Sequence, residues 1–185
     1  MCALALCCLQ RFLMSKDDRD SRCSFVFVEH PQHGYLLLSS KNVKKGSTDS
    51  QTPGGHVDVA ELVAAQAIGT PEALDAMFRA VAARELYEET GMNIRQDLGR
   101  LRRLESDHPL KVFFLLEVND GDFSKVASEP GAPLVPGAGA ASLKLRLSHE
   151  HTAWRFEKDK AVAAEAMKLH SGGAPSEILG KLSSL

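Results

Sequence analysis

Strand-type and helix-type runs alternate along the 185 residues and predict an α/β fold, a mixed β-sheet sandwiched between helices. Three observations carry this expectation. Two apolar, β-rich runs lie close together between residues 24 and 40. A long helical pattern with its own start and stop signals occupies 71–90. Further strand-type runs near 111–118 and 143–147 are followed by helical sequence to the end of the chain.

The elements follow in order. The opening MCALALCCLQRFLM is apolar and poor in charge. A secretory leader carries basic residues before its apolar run, whereas here Arg11 follows it. An organelle presequence avoids acids, whereas Asp17, Asp18 and Asp20 come soon after. Residues 1–22 therefore read as a dispensable or loosely packed extension, with a weak targeting or acylated segment as the alternative. Residues 23–185 read as a single domain.

SFVFVEH (24–30) and GYLLLSS (34–40), joined by a short turn with Pro and Gly, read as a hairpin. Residues 41–55 are polar and glycine-rich and predict a loop. ELVAAQAIG (61–69) predicts a short helix ending at Gly69. PEALDAMFRAVAARELYEET predicts a longer one, with Thr70 as N-cap, Pro71 in the first position and Gly91 as its stop. Strands are expected near 100–106 and at KVFFLLEV (111–118). Residues 119–142, rich in Gly, Ala, Pro and Ser, predict a mobile surface loop. LKLRL (143–147) alternates and reads as a strand. EKDKAVAAEAMKLH (157–170) and APSEILGKL (174–182) read as closing helices.

Composition narrows the function. With 22 Lys+Arg against 24 Asp+Glu, the net charge of -2 argues against a coat for nucleic acid or anionic membrane. No apolar run reaches the ~18 residues of a membrane span. A chain this long buries a sizeable core without disulfide or metal staples. Its four cysteines, Cys2, Cys7, Cys8 and Cys23, form no C-x-x-C pair, which speaks against zinc and for free thiols in a reducing, cytoplasmic setting. Ser183, Ser184 and Leu185 resemble the S-K-L peroxisomal address and supply the alternative location.

The most informative segment is Arg84-Glu85-Leu86-Tyr87-Glu88-Glu89-Thr90-Gly91-Met92. At about 100° per residue, Glu85, Glu88 and Glu89 share one helix face. Like charges so close are unfavourable unless a cation neutralises them, and clustered hard oxygen ligands suit Mg²⁺ or Mn²⁺. Arg84 can pair with one carboxylate and hold its rotamer. A solvated acidic face is the plain alternative. Against it stand two features: the position near a helix C-terminus, where the macrodipole disfavours anions, and the upstream turn Pro53-Gly54-Gly55-His56. Small residues in that turn allow a backbone carbonyl close to a metal or phosphate.

The segment from Gly55 to Met92 resembles the Nudix box, G-x5-E-x7-R-E-U-x-E-E-x-G-U, with U a bulky apolar residue. Gly55 and Glu61 match its first half, and Arg84 through Met92 match its second half in full. Twenty-two residues, 62–83, stand where the pattern has seven, and we read the excess as an insertion holding the ELVAAQAIG helix. The resemblance implies a Nudix-type α/β/α sandwich that hydrolyses a nucleoside diphosphate linked to another moiety, with Mg²⁺ or Mn²⁺. It makes Glu85, Glu88 and Glu89 metal ligands together with the Gly55 carbonyl, Glu85 alternatively the base, Arg84 the orienting residue and Leu86 a core anchor. Gly54, Gly55 and His56 become candidates for substrate contact.

Downstream, LSHEHTAWRF (147–156) gathers two His, a Glu, the only Trp and an Arg. Glu150 could add a carboxylate to the metal site, and His149 or His151 could touch phosphate. Each His also suits an ordinary surface place. Trp154 either stacks on a base or packs in the core. The stretch is similar to the S-H-E-H-x-x-[YW]-[RK]-[WF] segment of the diadenosine tetraphosphate hydrolase branch, in which the residue matching Glu150 assists metal binding or water activation. The resemblance thus implies an enzyme cleaving dinucleoside polyphosphates, with nucleotide sugars, NADH, coenzyme A derivatives and damaged dNTPs as alternative substrates. A non-catalytic nucleotide-binding or regulatory module is the competing class. A role on RNA is disfavoured by the near-neutral charge.

Overall fold

The computed structural model describes residues 22–41, 50–128, 131 and 133–182. Residues 1–21 of the expected extension and the tripeptide 183–185 lie outside these residues.

Strand β1 (Cys23–His30) is the axis of the sheet. It is apolar on both sides, as a strand covered on both faces must be. It turns into β2 (Gly34–Ser40) as an antiparallel hairpin, with Glu29 opposite Tyr35. The expected loop at 41–55 instead contains β3 (Ser50–Gln51) and β4 (Gly54–His56). β3 pairs with β2, and β4 pairs with β1 so that Ser24 faces Gly55 and Phe25 faces Gly54. Small polar residues hid these strands because their ladder is supplied by neighbours, not by their own apolar side chains. The Thr52 hydroxyl donates to the Val26 carbonyl, and the Val26 N–H donates to the Pro53 carbonyl at 2.8 Å.

Helix α1 (Val59–Ile68) ends at Gly69 in the left-handed conformation (φ 74°). Helix α2 (Pro71–Thr90) starts on the Thr70 hydroxyl, which accepts from the Ala73 N–H at 3.2 Å, and stops at Gly91 (φ 77°). Of the strand expected at 100–106, only β5 (Arg102–Arg103) forms, after a 3₁₀ turn at 98–100. β6 (Lys111–Glu117) runs parallel to β1 along its whole length.

Residues 119–142 are a second correction. They hold helix α3 (Asp120–Ser128), strand β7 (Val135–Gly137) and the start of β8 (Ala140–Leu145). Phe123 and Val126 are buried, and Asp122 is gripped by Arg100 at 2.9 Å, so this low-complexity stretch is packed down by a few anchors. β9 (His151–Glu157) then pairs antiparallel with β2. The expected helix at 157–170 is shortened to α4 (Lys160–Ala166), because Asp159 caps it and the sheet claims the residues before. α5 (Ala174–Lys181) closes the described chain.

The two faces of the sheet have separate cores. Val26, Val28, Leu36, Leu38, Phe114 and Leu116 pack with Leu86 of α2 on one face. Phe25, Phe27, Leu37, Phe113 and Leu115 pack with Ala163 of α4 and Ile178 of α5 on the other. The period-two alternation of adjacent residues produces this division. The result is an α/β/α sandwich with a mixed sheet, as the sequence predicts. A third cluster, Val57, Leu62, Ala65, Met77 and Val81, fastens α1 to α2. No described helix is long and apolar enough to cross a membrane.

Candidate active site

The last two turns of α2 place the predicted glutamates. Leu86 is fully buried against the sheet and fixes the rotation of the helix. Glu85 and Glu89 then face the short β4 strand, while Glu88 is half exposed toward solvent.

Glu89 is nearly buried, with 8% of its surface exposed. Its carboxylate accepts the Gly54 N–H at 3.1 Å. Burial pushes the Glu89 carboxyl up to about 8, against the lowering pull of that hydrogen bond and aided by the charges of Glu85, Glu150 and Glu88. The Glu85 carboxyl is also raised, first by burial and then by Glu88, although Arg84 draws it down. Gly55 sits directly against Glu85: a Cβ there would lie 2.4 Å from the Glu85 carboxyl carbon. Only glycine permits this approach of strand and carboxylate.

Arg84 ties three elements together. One terminal nitrogen donates to Glu85 at 2.7 Å and lies 3.6 Å from Glu88. The other donates to the His56 carbonyl at 3.0 Å and to Glu61 at 3.4 Å, and lies 3.8 Å from Asp58. Glu61 therefore meets Arg84 despite the twenty-two residues between them. Its carboxylate also accepts the Asp58 N–H at 3.0 Å, so the first turn of α1 is built into the site.

Glu150 comes from the turn between β8 and β9. That turn is pinned to the end of α2 by main-chain hydrogen bonds. The Arg146 N–H donates to the Thr90 carbonyl at 3.0 Å and the Ser148 N–H to the Glu89 carbonyl at 3.2 Å. Within the turn, the Ser148 hydroxyl accepts the Glu150 N–H at 3.3 Å, and the Glu150 carbonyl accepts the Lys41 N–H at 2.8 Å. The exposed Glu150 thus brings its charge within electrostatic reach of Glu89.

His149 is exposed on the same turn and His56 is exposed at the end of β4. His151 points inward: it is 4% exposed, 3.1 Å from the Ser148 hydroxyl and 3.4 Å from Gln51 Oε1. Burial holds its pKa below the ordinary histidine value. It braces the turn from inside. Trp154 is a core residue, with its Nε1–H donated to the Val135 carbonyl at 2.8 Å and its ring stacked on Phe123. Sequence reasoning missed Asp58, Ser148 and Gln51. Asp58 alone had a signal, since Asp58-x-x-Glu61 is a capping pattern just before an apolar run.

The donor set is all oxygen, deeply negative and short of positive charge beyond Arg84. It fits a hard divalent cation. A different group lies at the far end of β1, about 20 Å along the strand. There His30, His33 and Asp120 hold ligand atoms within 4.8 Å of one another. The Gln32 N–H donates to His30 Nδ1 at 3.2 Å, which leaves the ring proton on Nε2, aimed at Asp120 3.0 Å away. As arranged, this is a hydrogen-bonded clasp between β1 and α3. A groove lined by Tyr35, Arg102, Lys158 and Ile178 opens on the opposite face of the sheet and contains none of Glu85, Glu88, Glu89 and Glu150.

No family model and no curated protein matches the chain. Among solved structures, an Ap4A hydrolase binary complex from C. elegans is 18% identical over 84% of this chain and 93% of its own, with a TM-score of 0.45. A MutT protein from Methanosarcina mazei Go1 is 14% identical over 86% and 89%, at 0.41. A NUDIX hydrolase from Alicyclobacillus acidocaldarius is 14% identical over 81% and 83%, at 0.46. These values are too low for substrates or residue roles to pass from those proteins to this one.

Proposed function

We propose that the chain is a Nudix-type, divalent-cation-dependent pyrophosphohydrolase that cleaves a nucleoside diphosphate linked to another moiety. The leading substrate class is a dinucleoside polyphosphate such as diadenosine tetraphosphate. The observation that carries this reading is the sealed carboxylate pair: Glu89 on the Gly54 N–H and Glu85 against Gly55, with Glu88 beside them. A structural acidic face has no reason to bury Glu89, partly bury Glu85 and raise the pKa of both.

Glu85, Glu88, Glu89, Glu150 and the Gly55 carbonyl are the candidate holders of Mg²⁺ or Mn²⁺. A cation bound there would acidify water and offset the charge on phosphate. Arg84 keeps Glu85 in position and joins α2 to α1. Gly54, His56 and His149 border the cluster and are the proposed substrate contacts. His151 contributes by holding the Glu150 turn.

The test is a phosphate- and nucleotide-release panel with Mg²⁺ and with Mn²⁺, run beside Glu89→Gln as the blank. It contains diadenosine tetraphosphate, ADP-ribose, NADH, coenzyme A, a capped nucleotide and dNTPs. Cleavage of one member, lost in the variant, establishes the hydrolase. Metal binding without turnover on any member returns the chain to the class of binding modules.

A further inference from the structure

Helix α1 is apolar on two sides. Leu62 and Ala65 are buried against Val57, Met77 and Val81. At about 100° per residue, the outward half of the helix carries, in angular order, Val59, Val63, Ala67, Ala60, Ala64 and Ile68. All six are exposed, with Val59, Val63 and Ile68 at 43%, 50% and 68%. No polar side chain interrupts this half-circle, since Glu61 and Gln66 lie beyond its margins toward the buried side. A helix that faces water carries polar residues outward, and one that is apolar all round belongs in an interior.

The chain itself holds a segment suited to this face. The Arg22 carbonyl accepts the Val57 N–H at 3.0 Å, so the preceding residues leave the described structure beside the first turn of α1. Residues 15–21, SKDDRDS, are polar; seven residues reach about 24 Å when extended. The ten-residue helix is about 15 Å long, so every position on it lies within that reach. Before this tether, residues 1–14 are apolar except for Gln10 and Arg11.

We propose that residues 1–14 dock in cis on the exposed apolar face of α1, along Val59, Val63 and Ile68. The apolar opening of the chain is then the missing cover of α1. Because α1 also carries Glu61, the docked segment steadies the helix that grips Arg84.

Val63→Cys in the full chain tests this under mild oxidation. The expected product is an intrachain disulfide between the introduced thiol and Cys7 or Cys8, identified by peptide mass. Cys23 is buried and takes no part. Glu165→Cys, exposed on α4 across the sheet, should give no such product. In parallel, Leu4→Asp/Leu6→Asp/Leu9→Asp should raise amide exchange across 59–68 about tenfold. An interchain disulfide assigns the face to a second copy and overturns the proposal. No disulfide, an equal yield from Glu165→Cys, or unchanged exchange also overturns it.

Discussion

Glu89 stores electrostatic cost in the metal-free protein. Its carboxyl stands near 8 when folded, against about 4.3 in an unfolded chain. Between those values the folded state keeps a proton that the unfolded state has lost. Stability from this group therefore falls as pH rises, a loss complete only above the folded value. Thermal melts in chelator should show a decline from pH 5 to pH 8, on the order of a few kcal/mol. Glu89→Gln should flatten that slope and abolish turnover. A slope unchanged in the variant would mean that Glu89 is ionised in the metal-free fold. Gly55→Ala should act on the neighbouring carboxylate. Its Cβ would fall on the Glu85 carboxyl, so that side chain must swing away, at about 1 kcal/mol or less by denaturant titration but with weakened cation binding and activity. These glutamates were legible because a fixed spacing on one helix announces them. Ser148 and Gln51 were not, since a serine and a glutamine with no neighbouring pattern give no sign of the histidine they will hold.

The elements differ in how openly their residues declare them. α2 carried every signal of a helix: Thr70, Pro71 and a terminal Gly91. Thr70→Ala should cost about 1 kcal/mol in urea melts and leave kcat unchanged, because the cap sits at the end of α2 opposite the glutamates. A kcat that falls with stability intact would show that the register of α2 depends on its start. α3 and β7 were masked by Gly, Ala, Pro and Ser, whose composition resembles a loop. They are ordered by sparse, long-range anchors: Phe123 stacked on Trp154, and Asp122 on Arg100. β9 was overlooked for a related reason. Its pairing with β2 is a property of the partner strand, and LSHEHTAWRF read by itself shows only a cluster of polar and aromatic residues.

For the whole molecule, the sheet separates the glutamate cluster from the α4 and α5 side, so a cation at the cluster binds only the assembled fold. Mass action then predicts stabilisation by Mg²⁺ or Mn²⁺ that grows with concentration, about 2.7 kcal/mol at a hundredfold excess over Kd. Thermal shift assays should show it in the parent chain and lose it in Glu88→Gln/Glu89→Gln. A shift that survives in the variant would place the cation elsewhere, with His30, His33 and Asp120 the first group to mutate.

The joint between α2 and the Glu150 turn rests on two main-chain hydrogen bonds, from Arg146 and Ser148 to Thr90 and Glu89. Every residue except proline offers such an N–H. These two bonds therefore do not depend on which side chains stand at 146 and 148. In a lineage of such proteins, the exposed position 149 can drift while the carboxylates keep their spacing, whereas Arg146 is tied to the Val126 carbonyl at 2.7 Å and Leu147 packs on the core. New specificities could be selected at this turn without first rebuilding the catalytic helix, and a proline at 146 or 148 would break the joint itself.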